Sequence, residues 1–277
     1  MTGPVRPRTI ATIAAVTSWV LPSIALAEGG LLAVRKLVPA DALVATNDVV
    51  GNYLQTLGSI YSVLLAFVVF VVWTQYNDAR SRVEVEANEL VDLYRTAKGL
   101  PDPTRSEVQR IIRQYVELVT DSEWDAMARG EQHSFDEGDR LVDAMWDALQ
   151  TCDAESSCHA ALFAESLARF NGVSDARTNR LTASQLRIPL ALRILLYMGA
   201  VVTVGSMYLF AVDRLSVHLF VTGAMAGALS HILYVVHDLD DCFAGAFQVP
   251  KESFQRVQRY VARGGGGPED RAIELVR

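Results

Sequence analysis

The feature that most constrains this sequence is an uncharged stretch from Val49 to Asn77. The hydrocarbon core of a bilayer is about 30 Å thick, and a helix needs roughly 20 apolar residues to cross it. This stretch exceeds that length, which leaves room for a tilted helix. It therefore predicts a membrane-spanning helix and sets the class of the whole chain.

One face of this predicted helix differs from the others. At helical spacing it carries a polar stripe, which consists of Asn52, Gln55, Ser59, Ser62, Ala66, Phe70 and Trp73. Lipid offers no hydrogen bonds, so the stripe needs another helix or water as its neighbour. The first interpretation is helix–helix packing. The second is a pore wall, in which amides and hydroxyls replace part of an ion's hydration and Phe70 forms an apolar constriction.

The first apolar stretch of the chain has two interpretations. It fits a secretory signal peptide that ends in Ala25-Leu26-Ala27. It also fits a spanning helix from Ile10 to about Val34, bent near Pro22. We favour the helix, because the apolar run resumes after Glu28 and cleavage would leave an odd number of spans.

The third and fourth spans are predicted at Ile194–Val212 and Leu215–His237, joined by a tight turn. The fourth span contains Gly223 and Gly227 in a GxxxG pattern, which permits the close approach of a second helix. This pattern also arises by chance, so its role as a packing face is left open at this point.

The chain between the second and third spans is polar and indicates amphipathic helices up to about Arg187. We therefore predict an all-α protein with four transmembrane spans and a cytoplasmic helical insert between spans two and three. The predicted divisions are residues 1–76 for the N-terminal tail and the first two spans, 77–187 for the insert, 188–237 for the last two spans, and 238–277 for a cytoplasmic tail with a disordered, Gly-rich end.

Basic residues near the span ends predict the orientation in the membrane. One side is flanked by Arg6, Arg8, Arg80, Arg82, Arg187 and Arg193, and the other by Arg35, Lys36 and Arg214. Cytoplasmic loops of membrane proteins carry an excess of Lys and Arg. We therefore predict a multi-pass protein of the inner cell membrane, with both termini and the insert in the cytoplasm.

Composition and motifs argue against several function classes. The net charge of −7 disfavours nucleic acid as a partner. The sequence lacks a Gly-rich phosphate loop, a helical HExxH pair and a GxSxG motif, so we predict no enzyme, no cofactor and no metal centre. Cys152, Cys158 and Cys242 lack the paired spacing of zinc sites and are interpreted as reduced cytoplasmic thiols.

Isolated polar residues in the spans and the insert are interpreted structurally. We place Glu28 at the membrane interface, with a role at the outer mouth as the alternative. His231 and His237 are interpreted as packed, hydrogen-bonding residues rather than proton sites. In the insert, Glu123 and Arg177 are predicted to form a buried ion pair.

An acidic cluster follows the fourth span and consists of Asp238, Asp240 and Asp241. The default interpretation is solvated charges or partners for Arg80 and Arg82, and these charges would bias the cytoplasmic mouth electrostatically. A divalent-cation site is the alternative, although a helix would turn two of the three carboxylates apart and other oxygen ligands are few.

Several short segments occur in a characteristic order along the chain. They are YSVLLAF (Tyr61–Phe67) with the following Trp73, EANELVDLYRTAKGLP (Glu86–Pro101), the Glu123-Trp124 pair, the Arg177 and Arg180 pair, and LDDCFAG (Leu239–Gly245). By these segments the chain resembles the bestrophin-like family of bacterial and plant membrane proteins, also labelled the DUF4239 domain, over about residues 31–250. Family members usually have an LD-x-PF-x-G pattern in the last segment, where Cys242 stands here in place of proline.

This resemblance implies a function. Bestrophins are pentameric anion channels with four spans per subunit, a pore lined by the second span and a cytosolic helical domain between spans two and three. Those that respond to calcium carry an acidic run after their fourth span. The chain is accordingly expected to be a homo-oligomeric ion channel, for anions rather than cations, with membrane lipid and inorganic ions as partners and the polar stripe as its pore lining.

Two alternatives stay open at this stage. The stripe contains no basic residue, so an anion would be selected by amide, hydroxyl and aromatic-edge dipoles, and nothing in the stripe repels cations. The competing function is a non-conducting membrane scaffold or signalling protein whose cytoplasmic helices bind a partner.

Overall fold

The computed structural model describes residues 7–39, 43–44, 47–131, 135–152 and 157–264, and the side chains of residues 7–13 and 157–159 are outside this description. Its helices are α1 (Pro7–Leu37), α2 (Asn47–Ala97), α3 (Thr104–Leu118), α4 (Trp124–Arg129), α5 (Asp136–Gln150), α6 (Ser157–Gln185), α7 (Leu190–Met207), α8 (Leu215–Asp240) and α9 (Glu252–Ala262), with a π-helical turn at Val119–Glu123. The predictions for the side chains of Arg6, Arg8 and Cys158 and for the Gly-rich end lie outside the described residues.

Among the residues that the structure describes, four helical stretches are long and apolar enough to cross a membrane, namely Ala14–Leu37, Asn47–Ala97, Ala160–Met207 and Leu215–Asp240. The predicted all-α, four-span fold is confirmed. The first of these stretches runs through Pro22 as one helix, as the spanning interpretation predicted. The second continues as helix to Ala97, far beyond the length that a bilayer needs.

The chain divides into two compact units. The membrane unit comprises residues 1–74 and 187–240, and the helical unit comprises residues 75–186 and 241–277. The first part of α2 therefore belongs to the membrane unit and its remainder to the helical unit, together with α9.

In the membrane unit, α1 packs closely against α8 through two glycines. A Cβ atom added at Gly223 would lie 2.8 Å from Oε1 of Glu28, and one at Gly227 would lie 3.1 Å from Cδ1 of Ile24. A side chain at either position would have to displace Glu28 or Ile24 of α1. The GxxxG pattern is therefore a helix-packing face.

The third span ends at Met207 rather than at Val212, so the predicted tight turn is wrong and residues 208–214 form a longer connection. Side chains from other elements satisfy its peptide groups. Asn47 accepts from the N–H of Ala211 at 2.9 Å and donates to the same residue's carbonyl at 3.3 Å, and Arg35 donates to the carbonyl of Val212. Because these side chains bond to the peptide groups of Ala211 and Val212, this part of the backbone does not need helical hydrogen bonds, and α7 can end earlier.

The helical unit has its own apolar core. Trp124 is buried at its centre, with ring centroids 5.5 Å from Phe243 and 5.9 Å from Phe254. Phe254, Val257 and Val261 recur at three- and four-residue spacing along α9 and are all buried. The amphipathic pattern near the C-terminus therefore supplies one wall of this core.

Candidate ion pathway and a buried charge network

All seven residues of the polar stripe are exposed on the single chain. Phe70 and Trp73, for example, are 65% and 53% exposed. The face of α2 that packs inside the membrane unit is a different one, formed by Tyr61, Leu65, Val68 and Val72. At 3.6 residues per turn the centres of the two faces are about 130° apart around the helix. The stripe is therefore turned away from the described helices of its own unit.

The hydroxyl groups on and beside the stripe donate hydrogen bonds to their own helix. Ser59 donates to the carbonyl of Gln55 at 2.8 Å, Ser62 to that of Ser59 at 2.9 Å, and Thr56 to that of Asn52 at 3.0 Å. This arrangement uses the hydroxyl proton and leaves oxygen lone pairs exposed. The side-chain amides of Asn52 and Gln55 give the stripe N–H groups that it can offer to an anion.

The second candidate site is a network of buried charges in the helical unit. Arg180 donates to Glu86 at 2.6 Å and to Glu123 at 2.9 Å, and Arg177 donates to Glu123 at 2.9 Å. These four side chains are at most 3% exposed, and their formal charges cancel. Arg177 also donates to Asp139, which lies at the surface. The predicted Glu123–Arg177 pair is confirmed, within a larger network.

The pKa values of Tyr115 and Arg180 in the network are both raised. Burial and the neighbouring Glu86 raise the pKa of Tyr115 far above its usual range, so its hydroxyl stays protonated and donates to Glu86. Burial opposes the charge of Arg180, but Glu86, Tyr115 and Glu123 outweigh that effect and hold its pKa well above the ordinary value. Tyr115 and Arg180 therefore keep their protons at any physiological pH.

A π-helical turn at Val119–Glu123 brings Glu123 into the network. In an uninterrupted α-helix, Glu123 would lie about 80° around the axis from Tyr115. A π turn takes up one extra residue, which reduces this offset to about 20°. Both side chains can then reach Arg177, whose Nη1 lies 3.2 Å from the Tyr115 hydroxyl oxygen. Gly138 completes the packing, because a side chain there would collide with Glu123 and Arg177.

A profile of the bestrophin-like domain matches residues 21–254 of the sequence. The chain belongs to the bestrophin-like family. A comparison with curated protein sequences found no match.

Solved structures have the same fold. Two mutants of a bacterial bestrophin homologue from Klebsiella pneumoniae are similar to the chain at TM-scores of 0.68 and 0.65, with 11% identity and coverage of 90% and 89% of this chain and 99% of each of theirs. A mutant described as a membrane protein has a TM-score of 0.69 at 11% identity, covering 89% of this chain and 98% of its own. This protein is therefore a bestrophin-like membrane protein with the fold of the bacterial bestrophin homologues.

In this bestrophin-like protein the acidic cluster is not a set of solvated charges. Asp238 and Asp240 are buried, contrary to the prediction. Asp240 accepts hydrogen bonds from the N–H of Ile188 and from Nη2 of Arg193, both at 2.7 Å. A carboxylate is favourable beside the N-terminus of a helix such as α7. Asp240 thus ties the start of the third span to the end of the fourth, and Arg193 balances its charge.

The predicted partners of the acidic cluster bond elsewhere. Arg80 pairs with Glu84 one turn along α2, and Arg82 donates to Asn179 at 2.9 Å. Within the described residues, no three His, Cys, Asp or Glu side chains are grouped so that they could hold a metal ion.

Sequence reasoning missed His218, one of the buried polar residues of α8. His218 lies 2.9 Å from the carbonyl of Met207 and caps the end of α7, whereas His231 and His237 are exposed on the single chain. His237 stacks on Trp19, with ring centroids 5.4 Å apart. Glu28 is half-buried against Gly223, and its place at the interface or the outer mouth stays a prediction.

Sequence reasoning also missed that Glu86, Tyr115 and Arg180 join the charge network. Arg177 and Arg180 are three residues apart on α6, a spacing that places two guanidinium groups on one helix face. That spacing was the feature of the sequence that could have indicated that Arg180 joins Arg177 in the network. It could not identify Glu86, because the partner lies on a different helix, far away in the sequence.

Proposed function

We propose that this bestrophin-like protein is a homo-oligomeric ion channel of the inner cell membrane, with a pore lined by α2. The observation that carries the proposal is the exposure of the whole polar stripe on the single chain. Asn52 and Gln55 would be unfavourable against lipid, which cannot hydrogen-bond to them. Placing the same stripe of several subunits around a common axis gives these side chains water and ions as neighbours.

The family plan supports the finer points of this proposal. Bestrophins assemble as pentamers, so we propose five subunits, with Asn52, Gln55, Ser59 and Ser62 in the outer half of the pore, Ala66 and Trp73 as further lining, and Phe70 at the constriction. We propose anions as the conducted ions, attracted by the exposed amide N–H groups. No catalytic role is assigned to any residue.

The decisive measurement is current across planar bilayers that contain the purified protein, under a salt gradient. We expect unitary currents whose reversal potential indicates anion selectivity. Phe70→Ala is expected to raise the conductance several-fold and to relax the selectivity, because it removes the ring that narrows the pore. Phe67→Ala is the matched control, since Phe67 is also exposed on α2 but lies off the stripe.

The outcome decides between the competing functions. Silent bilayers with correctly assembled protein would reject the channel and leave the non-conducting scaffold. Currents whose reversal potential indicates cation selectivity would reject only the proposed preference for anions. Currents on which Phe70→Ala and Phe67→Ala have equal effects would reject the assignment of the stripe as the pore wall.

We also propose that both termini and the insert are cytoplasmic. A membrane-impermeant maleimide applied to intact cells is then expected to leave Cys152 unlabelled and to label it after permeabilisation. Asp213→Cys serves as the control, because Asp213 is exposed in the α7–α8 connection and should react in intact cells. Labelling of Cys152 before permeabilisation, or a mature chain that begins at Glu28, would contradict the topology.

A further inference from the structure

An apolar cleft of about 400 Å³ lies within the membrane unit, between α1, α7 and α8. Trp19 and Leu26 line it from α1, Tyr197 and Gly205 from α7, and Leu229 from α8. Folded proteins leave few voids larger than a water molecule, and ligand sites typically have volumes of roughly 300–1,000 Å³. The cleft therefore has the size of a binding site rather than that of a packing defect.

The hydroxyl groups of the two serines that line the cleft already have hydrogen-bond partners. Ser230 donates to Ser23 at 2.9 Å, and Ser23 donates to the carbonyl of Trp19 at 3.0 Å. None of the described side chains that line the cleft carries a formal charge. Most of the other lining side chains are aliphatic, and a buried water needs two to four polar partners, so this site suits an apolar occupant better than water.

The length of the cleft matches one leaflet of a bilayer. The stretch from Tyr197 in α7 to Tyr208, the residue that follows this helix, extends about 16 Å at 1.5 Å per residue. Half of the hydrocarbon core is about 15 Å thick. At one end the ring of Tyr208 lies against Gly30, and Tyr is a residue favoured at membrane interfaces. The rim includes Leu26 and Val201, which are 79% and 65% exposed, so the cleft opens towards the outside of the unit.

We infer that this cleft binds one acyl chain of a membrane lipid, from the leaflet at the Tyr208 end of α7. The inference concerns binding and does not depend on ion conduction. On another face of the same helix, the carbonyl of Leu196 accepts a hydrogen bond from Tyr61 of α2 at 2.6 Å. The bound chain therefore supports the helix that holds α2 in place.

Two glycines provide a matched pair of variants. Gly205 lines the cleft, and a Cβ atom added there would meet no atom within 4 Å, so the leucine in Gly205→Leu can grow into the space. Gly29 is equally unobstructed on α1 but does not line the cleft. Gly29→Leu therefore introduces the same side chain into a span without filling the site.

The test uses Trp19 as a local probe of the occupant. The full chain carries Trp73→Phe and Trp146→Phe, so its fluorescence comes from Trp19 and from Trp124, which is buried in the helical unit. This protein is reconstituted in phosphatidylcholine vesicles with brominated acyl chains. The same protein with Trp19→Phe gives the fluorescence of Trp124 alone, which is subtracted as the background. We expect strong quenching of the Trp19 signal, reduced by at least half in Gly205→Leu and unchanged in Gly29→Leu.

Each other result overturns the inference. Equal quenching in all three proteins would mean that Trp19 meets only bulk lipid. Absence of quenching in the parent protein would mean that water or a second copy of the chain fills the cleft. Size-exclusion elution and thermal unfolding test whether each variant folds. If Gly205→Leu does not fold, Ala200→Leu replaces it, because Ala200 also lines the cleft.

Discussion

Replacement of Arg180 by methionine is expected to destabilise the helical unit by about 3–5 kcal/mol, the usual effect of leaving a buried ion without its partner. Arg180 is fully buried and is the one member of the network that bonds to both Glu86 and Glu123. Without it, two carboxylates would share the single balancing charge of Arg177. Methionine keeps most of the side-chain volume, so the loss would reflect charge rather than a cavity.

Urea unfolding of the detergent-solubilised protein, followed by Trp124 fluorescence, measures this change. Trp124 is a suitable reporter because it is buried in the core of the same unit. Arg169→Met is the matched control, since Arg169 lies on the same helix and its ion pairs with Glu165 and Glu89 are partly exposed to solvent. It should leave the midpoint nearly unchanged. A small effect of Arg180→Met, similar to that of Arg169→Met, would contradict the view that the network holds the unit together.

Modification of Ser62→Cys by a charged, water-soluble methanethiosulfonate reagent is expected to abolish most of the current through the proposed channel. The reagent attaches a bulky charged group to each subunit, and in a common pore these groups would meet near the axis. A narrow, dipole-lined pathway is sensitive to both the volume and the charge of such a ring. Current recorded before and after the addition measures the effect.

Ile60→Cys is the control for this experiment. Ile60 is 66% exposed and only two residues away, but it lies about 160° from Ser62 around α2. Modification of Ile60→Cys should leave the current unchanged. The same reagent should also leave unchanged the current of the protein that contains only its native cysteines. Equal inhibition at the two positions, or none at Ser62→Cys, would reject the stripe as the pore wall.

Much of the fold was predictable because membrane spans follow from simple physical rules. Every backbone hydrogen bond must be satisfied inside the bilayer, so a long uncharged stretch becomes a helix with little ambiguity. This rule predicted the four spans. It did not predict the end of α7 at Met207, because the side chains of Arg35 and Asn47, distant in sequence, satisfy the peptide groups that follow.

The acidic cluster shows where local reasoning failed. Adjacent aspartates after a span are usually solvated, and nothing in LDDCFAG indicates burial. Asp240 is buried because Arg193 and the N–H of Ile188 meet it from the start of the third span. A buried charge is tolerated only when such partners are present, and partners that come from another helix are invisible in a linear pattern.

What this sequence determined by itself is the all-α, four-span architecture and the existence of one polar face on α2, because both depend on residues close together in the chain. The tertiary structure decided which side chains face each other. It joined Glu86, Glu123, Arg177 and Arg180 into one network, turned the polar stripe away from its own unit and left a cleft between α1, α7 and α8. These features depend on contacts between distant segments, and helical periodicity states which face is apolar but not which helix covers it.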